Sequence, residues 1–486
     1  MTNTPLVNDL IRVCGEAGVR HRRADLLVFE ADGSADGSPE KVLPLAICLP
    51  TSTEQVAGCV KVARKYGVPV IARGAGTGLS GGAVPLAEGI IISLTRMDRI
   101  LDVNLAERTA LVEPGLINLD LSTHIKADRF FFAPDPSSQK ASTIGGNIAE
   151  NAGGPHCLKY GVTTNHILGV EFVLPNGDVV WLDSNQTGYG GLDLTAAIVG
   201  SEGMFGIVTR AKVLLTPIPE SISVMLAAFA SMDDAAQAVT EIIASGTMPS
   251  SLEIMDSLSM QAVEAAYHVG YPTEAAAVLL VEVDGHPLEV AEISAEVEAL
   301  CRRIGVVQYR QSYDPVEQAG LWLGRKMSLA AMGRLAPNYY LQDAVVPRSQ
   351  LVKTLDEVAR LSNESGLLVS NVFHAGDGNL HPLILFDRRE TGAVERVLHL
   401  NHDLVVACVE LGGTLSGEHG IGSEKRDHMD LIYNESDLRA MAGLKRSFDP
   451  DDAFNPGKVL PKGMLCGEVK DLHMQRMAQK YGIVAF

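Results

Sequence analysis

Positive charge is in short supply. The chain carries 40 lysines and arginines against 59 aspartates and glutamates, a formal net charge of −19. Nucleic acid and anionic lipid both need local positive charge, so neither is expected as a partner. A small anionic substrate is not excluded, because one well-placed arginine can hold it. Cysteine is sparse and dispersed: Cys14, Cys48, Cys59, Cys157, Cys301, Cys408 and Cys466 form no CxxC pair. That removes zinc knuckles, thioredoxin-like pairs and iron–sulfur sets from consideration. Scattered thiols suit a reducing compartment better than a disulfide framework. No apolar run approaches ~20 residues, so no membrane-spanning helix is expected. The early charges Asp9, Arg12, Glu16, Arg20, Arg22, Arg23 and Asp25 leave no room for the apolar core of a signal peptide. The expectation is a cytoplasmic protein. Repeats and low-complexity tracts are missing as well.

What is present is length for more than one core, 486 residues of which 46% are apolar. Ser52 with Gln55 makes a capping box, and Val56, Cys59, Val60 and Ala63 repeat at helical spacing until Gly67. A short buried strand is expected over 68–72. Glycine-rich turns are expected at 74–82, 145–146, 153–154 and 200–206, separated by strands over 90–94, 109–113 and 168–174. Thr216-Pro-Ile-Pro219 interrupts the pattern and marks a domain boundary. Beyond it, helices over 232–245 and 288–303 alternate with strands over 223–230, 277–283 and 305–310. A helix near 436–447 precedes the turn Phe454-Asn-Pro-Gly457. The fold class expected is α+β: a first domain 1–218 with its core at about 42–218, an α/β domain 219–425, and a helical segment 426–486 that returns to the first.

Gly76-Thr-Gly78-Leu-Ser-Gly81 matches GxGxxG formally. A dinucleotide fingerprint needs a helix to begin where the glycines end. Here Pro85 and Gly89 follow, then a strand, so a Rossmann site is disfavoured. What remains is a loop from Arg73 to Gly78 whose backbone N–H groups can converge on an anion without a helix. Pro134-Asp-Pro-Ser-Ser138 leading into Thr143-Ile-Gly-Gly-Asn147, and Ser201-Glu-Gly203-Met-Phe-Gly206, are further loops of the same kind. Three in one domain suggest a long phosphate-containing cofactor.

In the second domain, His374-Ala-Gly-Asp377-Gly378-Asn-Leu-His381 lies between apolar runs. Asp377-Gly378 favours a two-residue type I′ hairpin, pairing 374 with 381. The two imidazoles would then face each other with Cα atoms about 4.5–5.5 Å apart. Glu418, in Gly417-Glu418-His419-Gly420, can add a carboxylate and leave a coordination position open. Two histidines and one carboxylate accept zinc, manganese or iron alike.

RGAGTGLSGG, PDPSSQ, IGGNIAENAGGPHCLKYG, GSEGMFGIVT, HAGDGNLHP, SGEHGIG and FNPGK together resemble the PCMH-type FAD-binding family typified by vanillyl-alcohol oxidase. Within it they resemble the glycolate oxidase and D-lactate dehydrogenase branch, along nearly the whole chain. The resemblance implies an FAD domain of two α+β subdomains and a cap domain over the substrate. Arg73, Gly74, Ala75, Gly76, Thr77, Gly78 and Gly81 would hold the pyrophosphate. Pro134, Gly145, Gly146, Asn147, Gly154, Gly161, Gly203 and Ile207 would line the flavin and ribityl chain, with Asn455 returning from the tail. The first glycine loop has no histidine, which implies non-covalent FAD. His374, His381 and Glu418 would bind the metal, His419 would act as base, and Arg325, in Gly320-Leu-Trp-Leu-Gly-Arg-Lys326 on an expected helix, would take the substrate carboxylate.

The implied reaction is oxidation of a small D-2-hydroxy acid, with hydride passing to flavin N5. Leu341 stands where relatives acting on D-2-hydroxyglutarate carry a lysine, two residues before the aspartate aligned with Asp343. That departure favours glycolate or D-lactate, with D-2-hydroxyglutarate as the alternative. Electrons would leave to an iron–sulfur partner subunit, an electron-transfer flavoprotein or a cytochrome, and not to NAD. Membrane association would come only through a partner, and the oligomeric state, homodimer included, stays open. From another class, a metal-dependent hydrolase using the same ligands, or a non-catalytic FAD-carrying subunit, competes with this reading.

Overall fold

A computed structural model describes residues 4–34, 41–183 and 191–462; Cys466 and the end of the tail segment lie outside them. The helix Thr53–Tyr66 begins where Ser52 Oγ accepts from the backbone N–H of Gln55 and ends at left-handed Gly67. The expected capping box is only half formed: Gln55 Oε1 accepts from Thr51 N–H at 2.8 Å, one residue before the Ser52 cap. Its apolar stripe, with Val56, Cys59, Val60 and Ala63, packs on the first sheet together with the helix Thr4–Cys14. That sheet orders strands Val19–Arg20, Ala46–Cys48, Ile90–Ser93 and Val70–Arg73, the last three running parallel. Between Val70–Arg73 and Ile90–Ser93 the chain makes turns and no helix, as Pro85 and Gly89 predict.

A second, antiparallel sheet orders strands Ile100–Asn104, Thr109–Val112, Ile207–Leu214, Ile167–Val173 and Val179–Asp183. One expected turn is a helix instead. Gly145 and Gly146 lie in the first turn of Ile144–Glu150, because Thr143 caps it by accepting from Gly146 N–H.

From Ser221 onward the chain builds a nine-stranded sheet. Strand Ser221–Phe229 shows why both faces are covered. Val224, Leu226 and Ala228 point to one layer, with Leu321 and Trp322 of the helix Pro315–Ala331. Met225, Ala227 and Phe229 point to the other, with the helices Met232–Ala244 and Pro287–Ile304. A period of two with both faces apolar is the signature of a strand buried on both sides. The helix Glu435–Phe448 follows, and its Lys445 is buried, donating to the carbonyls of Met204 and Phe454 and to Asp449. These bonds tie the tail back to the first domain. Among the described residues no helix is long and apolar enough to cross a membrane.

Sequence spacing concealed one proximity: Cys14 and Cys59 are free thiols whose Sγ atoms lie 3.3 Å apart.

Candidate active site

A cleft of about 540 Å³ opens between the first two sheets and the nine-stranded one. The loop Arg73–Gly78 lines it, together with Gly145, Gly146, Asn147, Gly203 and Ile207. Gly76 is required here: its φ is +73°, and a Cβ would run into the guanidinium of Arg73. A Cβ on Gly78 would instead project into nearly open space, with only Glu150 Oε1 within 3.9 Å. The backbone is bared toward the cleft at that point, which fits a phosphate-bearing ligand such as FAD.

Five positions expected on the wall stand one layer behind it. Pro134 uses its carbonyl to accept from Asn118 Nδ2 at 2.8 Å. Gly81 accepts from the buried Lys458. The carbonyl of Gly154 and the N–H of Gly161 cap the short helix Cys157–Tyr160 at its two ends. Asn455 donates to the carbonyls of Gly82 and Glu202. They shape the loops and do not face the cleft.

His381, Glu418, His419 and Arg325 all line the same cleft. The hairpin register differs from the expected one. His374 pairs with Asn379, not with His381, and residues 375–378 form a four-residue loop. Two constraints set it. Only Gly378 adopts a positive φ (+70°), so a type I′ turn cannot form. Gly376 N–H is committed to Leu252 O on the neighbouring strand. His381 therefore falls opposite Val372, and His374 and His381 are diagonal neighbours on one face. They still meet, with ring centroids 5.0 Å apart.

His374 Nε2 lies 3.3 Å and His381 Nε2 3.5 Å from Glu418 Oε1. One ligand atom from each of the three residues falls within a 4.8 Å cluster. His381 Nε2 is buried without a hydrogen-bond partner, which a divalent cation between the three would satisfy. Burial alone would push His374 down, but Glu253 and Glu418 outweigh it and hold its pKa up at about 10. A cation would take the place of that proton. Burial also opposes the charge on Glu418, yet His374, His381 and His419 bring it down to about 2. In a second cluster, Asp343, His381 and His419, the ligand atoms also lie within 4.8 Å of one another. It suits a metal less well, because Asp343 already accepts from Ser416 Oγ, Lys425 Nζ and the backbone of Gly417, Glu418 and His419.

Two residues that sequence reasoning left out of the site organise it. Asp343 anchors the Gly417–His419 loop; its carboxyl is held far below the usual range, Lys425 and His419 overcoming its burial. Glu253 is fully enclosed in strand Ser251–Asp256. It meets His374 Nδ1 at 2.6 Å with one oxygen and Arg325 Nε at 2.6 Å with the other. It thereby turns His374 Nε2 toward Glu418 and fixes the arginine fork. Its sequence signal was a carboxylate set between the apolar residues Leu252 and Ile254 of the strand. Glu253→Gln is expected to weaken metal retention about 10–100-fold, read by metal content after graded chelation. His419 stacks on His381 at 5.1 Å and 18°. Burial, with His381 beside it, overrides Asp343 and lowers its pKa to about 4, leaving a neutral imidazole.

Residues 44–183 match the family described as FAD binding domain, and residues 218–459 that described as FAD linked oxidases, C-terminal domain. The chain is 43% identical over 456 residues to the glycolate oxidase subunit GlcD of Escherichia coli, covering 94% of this chain and 91% of that one. It is 37% identical over 468 residues to the Bacillus subtilis protein of the same name, covering 95% and 98%. A D-lactate dehydrogenase of Anaerostipes hadrus is 32% identical over 434 residues, covering 87% and 90%. Among solved structures, p-cresol methylhydroxylase superimposes with a TM-score of 0.80 at 18% identity, covering 94% of this chain and 96% of that one.

Proposed function

Since the chain belongs to the FAD-linked oxidase family and is an FAD-dependent oxidoreductase, we propose that it oxidises a small D-2-hydroxy acid, glycolate or D-lactate, to the 2-oxo acid. One observation carries this reading. Glu253 bridges Arg325 and His374, and Arg325, His381 and Glu418 line one cleft, which supports reading the arginine fork and the two-histidine, one-glutamate cluster as one site. A 2-hydroxy acid presents the matching groups on adjacent carbons.

Arg325 spends its Nε on Glu253, which leaves the two terminal nitrogens of the fork for the substrate carboxylate. His419, neutral and beside the cluster, accepts the hydroxyl proton. His374, His381 and Glu418 would hold zinc, manganese or iron, which supplies Lewis acidity to the substrate hydroxyl. FAD, when bound along the glycine loops, supplies N5 as the hydride acceptor. Leu341 and Tyr339 are among the residues that line the cleft, and neither offers a cation for a second carboxylate, in keeping with a short acid. Lys326 on the same lining favours a second reading, D-2-hydroxyglutarate, whose distal carboxylate needs a cation. The electrons go to an iron–sulfur partner subunit in this proposal, supported by relatives named as subunits.

The deciding experiment is anaerobic. Purified yellow protein mixed with glycolate, D-lactate or D-2-hydroxyglutarate should bleach with one of them, and the same mixture should stay yellow after chelation. A flavin that no 2-hydroxy acid reduces, or equal bleaching after complete metal removal, refutes the proposal.

A further inference from the structure

The segment Pro155-His-Cys-Leu-Lys-Tyr160 touches neither substrate nor flavin in the scheme above, yet it carries an ionic cluster at the seam between the two halves of the molecule. His156 Nδ1 meets Asp135 Oδ2 at 2.7 Å, and its Nε2 meets Glu282 Oε1 at 3.0 Å. Lys159 donates to the carbonyl of Asp284 at 2.6 Å and also to its carboxylate, while Tyr160 O–H donates to the second carboxylate oxygen. Glu282 and Asp284 sit two apart in strand Ala277–Gly285, so both reach the same side of the sheet. Both are nearly buried. The seam is thus closed by two arms, His156 to Glu282 and Lys159 to Asp284.

The arms differ in what lies behind them. Asp284, the partner of Lys159, is shared with Tyr160 of the same segment. Glu282, by contrast, also accepts from Trp322 Nε1 at 2.7 Å, and the His156 and Trp322 rings pack with centroids 5.7 Å apart. Trp322 lies one turn before Arg325 on the helix Pro315–Ala331. On its other side His156 grips Asp135, whose neighbour Pro136 lines the cofactor cleft. A continuous set of short polar contacts therefore runs from the cofactor loop through His156, Glu282 and Trp322 to the helix that bears Arg325. Burial would strip the proton from His156, but Asp135 and Glu282 together hold its pKa well above the ordinary histidine value. An imidazolium between two carboxylates donates to both at once, one N–H from each side of the ring, whereas the neutral imidazole can donate to only one.

The geometry points to His156 as a positioning residue that sets the Arg325 helix against the cofactor loop and so fixes where the substrate carboxylate is held. This inference rests on the proposed role of Arg325. Four variants of the FAD-loaded protein test it: His156→Gln, Trp322→Phe, the double variant, and Lys159→Met as a control on the other arm. Positioning predicts that His156→Gln raises KM for the 2-hydroxy acid about 10-fold with kcat changed less than about 3-fold. Trp322→Phe should do the same, and the double variant should be no worse than either single one, since both cut one path. Lys159→Met should lower Tm and leave KM alone. Hydrogen exchange over residues 315–331 should rise in the first three variants and not in the control. Additive effects in the double variant, or parallel changes in the His156 and Lys159 variants, would make the cluster a structural clamp only and overturn the inference. If the wild-type protein oxidises no 2-hydroxy acid, the exchange measurement decides alone: unchanged exchange in His156→Gln defeats the positioning role independently of the substrate.

Discussion

Glu418→Gln should leave a folded, yellow protein that has lost its metal and nearly all of its turnover, by about 10³-fold or more. The loss follows from charge. The cluster offers a cation two neutral nitrogens and one carboxylate, and the amide keeps the size and removes the only anionic ligand. The rest of the loop should not move, because Asp343 holds the backbone N–H groups of residues 417, 418 and 419 and none of these depends on the Glu418 side chain. The glycine loop Arg73–Gly78 lies elsewhere on the cleft wall, so flavin content should be unchanged. Metal per chain by elemental analysis, flavin absorbance, and the rate of anaerobic flavin bleaching separate these effects. A variant that keeps a full metal complement and turns over within about 10-fold of wild type would remove Glu418 from the ligand set.

How much of this was legible in the sequence depends on the range of the interaction. The helix Thr53–Tyr66 was readable because its cap, stripe and stop are local: Ser52, Gln55 and Gly67 act within one segment. The two-histidine cluster was readable as composition, since His374, His381 and Glu418 are of ligand type in close-set motifs. Its register was not readable. The four-residue loop depends on Leu252, on a strand more than a hundred residues away, taking the N–H of Gly376. The same distance hid Glu253, whose meaning appears only once its strand lies beside His374. The cleft-wall positions divide similarly. A glycine loop such as 74–78 could be read as bared backbone from the chain alone, and it lines the cleft. Whether Pro134 or Asn455 faces the cleft or braces it is decided by Asn118 and by the carbonyls of Gly82 and Glu202. His156 shows the limit most plainly, for its two carboxylates come from opposite sides of the domain seam.

His419→Gln should produce the second large loss and a different phenotype from Glu418→Gln. The metal should remain, because His419 Nε2 lies 3.7 Å from Glu418 Oε1 and outside the His374–His381–Glu418 cluster. KM should shift less than about 3-fold, since Arg325 and its Glu253 brace are untouched, while kcat should fall about 10²–10⁴-fold, the range for a lost general base. His419 lines the cleft, stacks flat against His381, and has its backbone N–H fixed by Asp343 at 3.1 Å, so its ring is held beside the ligand cluster. An imidazole that is neutral in the resting site is ready to accept a proton, and the substrate hydroxyl is the group that must lose one. Asp343→Asn supplies the contrast. It keeps the shape but weakens the anchor of both Glu418 and His419, so it should lose metal and base function together. If His419→Gln lost metal as Asp343→Asn does, His419 would be a ligand and the proton would need another acceptor. If its kcat were unchanged, no proton transfer at His419 would limit or assist the reaction.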